Sequence, residues 1–210
     1  MEQTGRTLSR GFLVSASEIV AYDKKNNRIF SVNAQIGQID IFNDLTATTP
    51  ALHSSLNLAQ LLVDNTVVAN TGLVGGANSV AVSDRYIAVA VQANPKTDTG
   101  WVVFLNQADL TFARAVSVGA LPDMVTFTPD GTKVIVANEG EPSDNYAIDP
   151  EGSVSVIKVA DFSKVDIGFT DFNVGGSRNS ELNLTKMIID GYSATNLSNK
   201  ASVADRKSVV

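Results

Sequence analysis

A pattern that occurs three times in the first 160 residues constrains the fold more than any other feature of the sequence. Each copy opens with a short alternating strand, passes through a polar turn into a more apolar strand and, after a loop, ends in a third strand. The copies are EIVAYDKKNNRIFSVNAQIGQIDIFN (18–43), NSVAVSDRYIAVAVQANPKTDTGWVVFLN (78–106) and DMVTFTPDGTKVIVANEGEPSDNYAIDPEGSVSVIKV (123–159). The equivalent residues Val20, Val80 and Val125 are 60 and 45 positions apart. This spacing predicts propeller blades, which run to about 40–50 residues each.

Short motifs within the copies predict local structure. TPDG at 128–131 predicts a tight turn, because proline presets φ and glycine tolerates a positive φ. The apolar runs IAVAV and VIVA predict strands that are covered on both faces. LNLAQLLVDN (56–65) fits a short helix or an edge strand, and in a propeller it would supply an outer fourth strand containing Leu61 and Val63. VDIGFTDFN (165–173) predicts the outer strand of the third unit, and the glycines of GLVGGAN (72–78) predict a turn.

The sequence therefore predicts an all-β chain, a partial β-propeller of about three to four antiparallel blades. We expect an N-terminal extension at 1–15, blades within 16–175 (approximately 16–63, 76–118 and 119–173) and a polar, partly disordered tail at 176–210. Propellers close with about four blades or more. The array is therefore expected to be open or truncated, and its open blade edges predict possible self-association.

Composition excludes several classes of partner. The net charge is −6, so a negatively charged nucleic acid backbone is repelled and no nucleic acid partner is expected. No apolar run reaches the length of about 18 residues that a membrane span needs. The chain has no cysteine, which excludes disulfides and thiolate sites. The first 18 residues contain no apolar core of a signal peptide, so no intact signal peptide is predicted.

A concentration of carboxylates marks the loop NEGEPSDNYAIDPEGS at 138–153. Carboxylate, amide and carbonyl oxygens are the ligands that Ca²⁺ prefers, and Pro142 and Pro150 stiffen the loop. The sequence predicts a possible Ca²⁺ site whose ligands would be Glu139, Glu141, Asp144, Asp149 and Glu151. The spacing does not match an EF-hand, and the alternative is a solvated charged loop between strands.

No catalytic or cofactor-binding residue can be singled out. His53 is the only histidine, and neither a G-x-S-x-G elbow nor an H-E-x-x-H motif is present, which favours a surface histidine. Trp101 opens the strand WVVFLN and is expected to pack in the core, with an exposed stacking platform as the alternative.

Taken together, the stretches 17–43 and 118–157 resemble the amino-terminal part of the choice-of-anchor I family. ANEGEPSDNY…DPEGS is the most specific part of the resemblance, which covers roughly residues 10–175. It implies an exported bacterial propeller-like protein, lactonase-like in fold and extracellular or at the cell surface; some relatives carry the name alkaline phosphatase. In that family an acidic segment similar to DLEPEY normally follows, whereas this sequence continues to KASVADRKSVV. A truncated or shortened member is therefore expected.

Two functions follow as hypotheses. The first is a secreted or surface module for binding or structural display of an unknown protein or small-molecule ligand, with Ca²⁺ as a possible stabiliser. The alternative is a fragment of a calcium-dependent phosphoester hydrolase in which a cation bridges the acidic loop and the substrate.

Overall fold

The computed structural model describes residues 17–33, 36–43, 51–172, 176–178 and 180. Three four-stranded antiparallel sheets, blades one to three, follow one another along the chain. Blade one contains β1 (Val20–Asp23), β2 (Arg28–Asn33), β3 (Gln38–Asn43) and β4 (Ala51–Asn57). Blade two contains β5 (Val74–Val82), β6 (Tyr86–Ala93), β7 (Thr99–Asn106) and β8 (Phe112–Ala120). Blade three contains β9 (Pro122–Phe127), β10 (Lys133–Asn138), β11 (Ser153–Lys158) and β12 (Lys164–Gly168).

Each blade is a simple meander in which neighbouring strands along the chain are also neighbours in the sheet. The first strands of the blades lie towards one another, since β5 contacts both β1 and β9. This arrangement confirms the predicted all-β fold and partial propeller, because similar sheets are stacked around a common inner side. The predicted extension at 1–15 and nearly all of the tail at 176–210 lie outside the described residues.

The turn between β9 and β10 forms as the motif TPDG predicts. Gly131 has φ +66°, and its amide donates to the carbonyl of Thr128 at 2.8 Å. The Asp130 carboxylate accepts hydrogen bonds from the hydroxyl of Thr128 at 2.6 Å and from the amide of Thr132 at 3.1 Å. These bonds reverse the chain within five residues and so fix the register of the β9–β10 pair.

Two apolar layers hold the three sheets together. The layer between blades one and two contains Phe30, Ile39 and Ile41 on one side and Ile87, Val89 and Val103 on the other. The layer between blades two and three contains the edge-to-face aromatic cluster Tyr86, Phe104 and Phe162. Strand β6 contributes to both layers, which confirms that the run IAVAV is covered on both faces.

Of the two alternatives predicted for the segment 56–65, the helix forms, while its first two residues end the strand β4. Helix α1 spans Leu58–Asp64, and the side chain of Asn57 caps its amino end by accepting from the amide of Gln60 at 3.0 Å. The outer strand of blade one is β4, formed by the preceding ALHSSLN. The assignment of Leu61 and Val63 to an outer strand was therefore wrong. The helix forms here because Leu58 and Leu62, one turn apart, are buried together on one of its faces.

The glycine-rich stretch 74–78 is the beginning of β5 and not a turn. Its pairing with β6 is irregular, with register shifts between Val74 and Ala77 and between Ala77 and Ser79. A Cβ on Gly75 would lie 2.7 Å from the Cγ of Gln92, so the bulged strand passes too close to β6 for a side chain. Blade three ends its fourth strand at Gly168, and the short 3₁₀ turn Thr170–Phe172 follows instead of further strand.

Strand β10 buries only one of its faces. Val134 and Val136 are fully buried against blade two, whereas Ile135 between them is 36% exposed. Met124, Val165 and Ile167 lie on the same open face and are about half exposed or more. The prediction that VIVA is covered on both faces was therefore wrong for this strand, because in the part of the chain that the structure describes a sheet packs against one side of blade three only.

Two short single-turn 3₁₀ elements, Thr71–Leu73 and Thr170–Phe172, complete the described secondary structure. Among the described residues, no helix has the length and apolar character that crossing a membrane requires.

Candidate functional site

Two loops of neighbouring blades meet at one edge of the array. Residues 94–98 join β6 to β7 in blade two, and residues 139–152, the acidic loop, join β10 to β11 in blade three. Both connect a second strand to a third strand, so they leave the blades at the same edge. Lys96 Nζ lies 2.9 Å from Glu141 Oε2, which ties the two loops together. We call these two loops the loop edge.

The acidic loop is a folded excursion held at its base and at its tip. At the base, the amide of Glu139 donates to the carbonyl of Leu121 at 2.9 Å. Gly140 has φ +63°, and a Cβ there would lie 2.6 Å from the amide nitrogen of Gly152, so the two limbs touch. At the tip, the amide of Ser143 donates to the carbonyl of Ile148 at 2.8 Å. The loop therefore presents its charges from a defined backbone.

The five carboxylates predicted to bind Ca²⁺ share this loop, but they do not converge. Among the described residues, no three His, Cys, Asp or Glu side chains are grouped as a metal site requires. Glu141 bonds to Lys96, and Glu139 and Asp149 also have interactions of their own. Because Ca²⁺ takes about six to eight oxygens, the arrangement does not fit a preformed calcium centre. Calcium binding by Glu139, Glu141, Asp144, Asp149 and Glu151 stays a prediction.

The electrostatics of the loop act on Lys96. The hydrogen bond from Lys96 to Glu141 raises the pKa of Lys96 above its ordinary value, and this outweighs the opposing effect of burial. The charges of Glu141, Asp144 and Glu139 act in the same direction. The ammonium group is therefore engaged by the acidic loop.

A buried asparagine, Asn138, immediately precedes the acidic loop. Asn138 Nδ2 donates to the hydroxyls of Ser153 at 3.0 Å and Ser155 at 2.9 Å, and Ser155 in turn donates to Asp166 at 2.6 Å. These bonds join three strands of blade three where the loop leaves the sheet. Asn138 therefore positions the first residues of the loop.

Blade one has a related arrangement in which the aspartate and the serine exchange places between the third and fourth strands. Asn33 ends β2 as Asn138 ends β10; its Nδ2 donates to Asp40 at 3.1 Å, and Ser55 donates to the same carboxylate. In both asparagines Oδ1 is buried and has no hydrogen-bond partner among the described residues. Sequence reasoning missed the pair, although RIFSVN and KVIVAN both end in asparagine.

A cavity of about 460 Å³ opens beside the 94–98 loop. Its lining comes from three separate segments: residues before β5, residues around the loop, and a residue of β7. These are Val68 and Leu73, then Ala93, Asn94, Thr97, Asp98 and Thr99, and finally Trp101. A turn in which the amide of Asp98 donates to the carbonyl of Pro95 at 3.1 Å shapes the loop. Asn94 fastens the loop to the segment before β5, since its Nδ2 donates to the carbonyl of Gly72 at 3.0 Å. No motif marks these residues, and sequence reasoning missed all of them except Trp101.

Trp101 packs as the sequence predicts, and the alternative of a stacking platform stays a prediction. It is partly buried and packs against the apolar layer between blades one and two, and it also lines the cavity. Thr97 is 9% exposed, and its hydroxyl has no hydrogen-bond partner in the described part of the chain. Such a buried, unpaired hydroxyl is uncommon in folded proteins.

His53 lies elsewhere, exposed on the outer strand β4. This position agrees with the expected surface histidine.

The loop edge therefore offers hydrogen-bonding groups and an aromatic face at the cavity, and concentrated negative charge on the acidic loop.

Comparison with known proteins places these features in a family. Residues 18–199 match the choice-of-anchor I domain. No protein of the curated set matches the chain.

Solved structures with a similar fold have low sequence identity. The periplasmic gluconolactonase PpgL of Pseudomonas aeruginosa superposes with a TM-score of 0.50 at 16% identity over 73% of this chain and 40% of its own. A hypothetical selenium-binding protein from Sulfolobus tokodaii gives 0.51 at 7% identity, over 73% and 38%. Hydrazine synthase of Kuenenia stuttgartiensis gives 0.50 at 14% identity, over 73% and 36%. This chain thus spans well under half the length of those chains, and the likeness concerns the propeller fold alone.

Proposed function

The chain belongs to the choice-of-anchor I family, and we propose that it is a β-propeller module of an exported or cell-surface protein that binds its ligand through the loop edge. Binding sites commonly lie on loops that a rigid scaffold positions. Here the scaffold is the stack of blades, and the loops are those at 94–98 and 139–152.

The observation that carries the proposal is the ion pair between Lys96 and Glu141. It joins the 94–98 loop, which borders the cavity of blade two, to the acidic loop of blade three. The acidic loop is also held by hydrogen bonds from the amides of Glu139, Gly140 and Ser143. The defined backbone lowers the entropy that the loop would lose on binding.

Binding of a labelled chain to immobilised polysaccharides, polypeptides and charged polymers tests the proposal. We expect at least one ligand whose binding falls about tenfold when residues 143–148 are replaced by a glycine–serine segment of equal length. The matched control is Lys24→Ala at the exposed β1–β2 turn, which lies at the opposite edge of blade one, and this variant should bind normally. Equal binding by the loop variant would contradict the proposal.

A phosphatase assay separates this proposal from the hydrolase hypothesis. A binding module should not turn over p-nitrophenyl phosphate with or without Ca²⁺. Turnover that is abolished by Glu139→Gln or Asp149→Asn would overturn the binding proposal in favour of a calcium-dependent hydrolase.

Cell fractionation of the native host tests the location. We expect the protein in the medium or at the cell surface. Its confinement to the cytosol would contradict the exported part of the proposal.

A further inference from the structure

We propose that the cavity beside the 94–98 loop binds a neutral saccharide unit, with Trp101 as the apolar platform and Thr97 as the hydroxyl partner. This inference rests on the proposed binding function and assigns a ligand class to one part of the loop edge. The cavity volume of about 460 Å³ lies within the range of about 300–1,000 Å³ typical of small-ligand pockets.

The first argument concerns the apolar part of the cavity. Trp101 is held in place because part of its side chain packs into the layer between blades one and two, while the rest faces the cavity. Val68, Leu73 and Ala93 add apolar surface around it. A fixed indole is suited to the C–H face of a sugar ring, since it offers a large flat area with little conformational entropy to lose.

The second argument concerns polar groups that have no hydrogen-bond partner in the described structure. The hydroxyl of Thr97 is buried without a partner in the described structure, and a hydroxyl can both donate and accept. Asn94 uses its Nδ2 on Gly72, which leaves its Oδ1 as an acceptor. A ligand with several hydroxyl groups can complete such a mixed set of donors and acceptors, whereas a hydrocarbon cannot.

The third argument concerns charge. Asp98 lines the cavity, and the acidic loop lies alongside it. Lys96, the nearby cation of the loop, is bonded to Glu141. The local field therefore opposes an anionic ligand. A quaternary ammonium ion would be attracted, but it neither donates nor accepts a hydrogen bond and so would leave the hydroxyl of Thr97 without a partner.

Tryptophan fluorescence of the full 210-residue chain tests the proposal directly, because Trp101 is its only tryptophan. The probes are glucose, galactose, mannose, N-acetylglucosamine and their β-linked trimers, with glucuronate and tetramethylammonium as charged comparators. We expect a saturable change with at least one neutral probe and a dissociation constant of about 1 mM or below, and no saturable change with the comparators.

Two variants show whether the signal comes from the predicted contacts. Thr97→Val should weaken binding about tenfold, because the hydroxyl partner is lost at nearly constant volume. Thr126→Val, the same change on blade three, is the matched control and should bind normally. Asp98→Asn removes a charge from an exposed side chain and should give glucuronate a measurable affinity. Thermal melting of each variant establishes that it is folded.

The proposal is overturned by the absence of a saturable response to every neutral probe at concentrations up to about 100 mM. It is also overturned by a response to tetramethylammonium or glucuronate alone, or by equal binding of the Thr97 and Thr126 variants. If the loop replacement at 143–148 still abolishes binding of another ligand, the binding proposal stands and only the saccharide assignment falls.

Discussion

Gly119 and Asn138 lie closer than two residues with side chains can: a Cβ on Gly119 would be 2.7 Å from the Cβ of Asn138. The contact joins β8 of blade two to the end of β10 in blade three. It lies where the acidic loop leaves its sheet, so the position of the loop depends on the packing of the two blades.

Substitution of Gly119 by alanine is expected to destabilise the fold. The added methyl group would also meet the hydroxyl of Ser153 at 2.8 Å, so the blades must shift apart, at a cost of about 1–3 kcal/mol. Urea unfolding measures the change. Gly168→Ala is the matched control, because a Cβ there meets nothing within 4 Å. Equal midpoints for the two variants would refute the proposed close contact.

The buried carboxylate of Asp23 should govern acid stability. Burial raises its pKa, but hydrogen bonds from Asn26, Gln107 and Arg28 outweigh burial and hold the pKa of Asp23 below its ordinary value of 3.8. A lowered pKa contributes stability that is complete above pH 3.8 and is lost as the pH falls through the folded-state pKa.

Asp23→Asn should therefore cost about 3–5 kcal/mol at pH 7, because it leaves the buried guanidinium of Arg28 without its counter-ion. Chemical unfolding at pH 7 and at pH 3 measures the cost, which should shrink at the lower pH. Asp84→Asn, at an exposed turn, is the control and should change little. A loss of stability that is the same at both pH values would argue against the charge as its source.

Asp130 should titrate far below an ordinary aspartate. The hydroxyl of Thr128, and then the amide and hydroxyl of Thr132, lower the pKa of Asp130 to about 2. Its contribution to the stability of the β9–β10 turn is therefore present above pH 3.8 and is lost as the pH falls through about 2. Carboxyl chemical shifts followed by NMR give the pKa directly. In Thr128→Val the value should rise towards 3.8, and an unchanged value would exclude the hydroxyl as the main cause.

The ion pair of Lys96 and Glu141 should contribute little to overall stability although it organises the loop edge. Both side chains are partly exposed, so a double-mutant cycle with Lys96→Gln and Glu141→Gln should give a coupling of about 0.2–1 kcal/mol that disappears near 1 M salt. Because the pKa of Lys96 is raised, the coupling should persist below pH 10.5 and vanish as the pH rises through the folded-state pKa. A coupling that is insensitive to salt would contradict an exposed pair.

Calcium binding by the acidic loop predicts a thermal midpoint that rises with Ca²⁺, since a ligand of the native state stabilises it. The rise should be smaller in Asp149→Asn and unchanged in Asp64→Asn, a control at the end of α1. No rise at millimolar Ca²⁺ would reject the prediction, and it would agree with the dispersed arrangement of the five carboxylates.

The sequence predicted the repeat, the blades and the turn at TPDG, because alternation and turn residues are local properties of the chain. It did not decide the segment 56–65, since the strand ALHSSLN has too few apolar residues to stand out and the helix has only two turns. The exposure of Ile135 was missed because the apolar run VIVA does not show how many sheets pack against its strand.

The candidate site was predicted only in part. Composition marked the acidic loop, but Lys96 lies 45 residues from Glu141 and no pattern links them. The cavity is formed by residues from three segments, and the feature that distinguishes Thr97 is its lack of a partner, which is a property of the packed structure.

Strand β10 directs Val134 and Val136 inward and Ile135 outward. The side chains that fasten this sheet to its predecessor are thus different from those that would touch a successor. A further sheet could therefore pack against the face of Ile135 while the contacts of Val134 and Val136 with blade two stay unchanged.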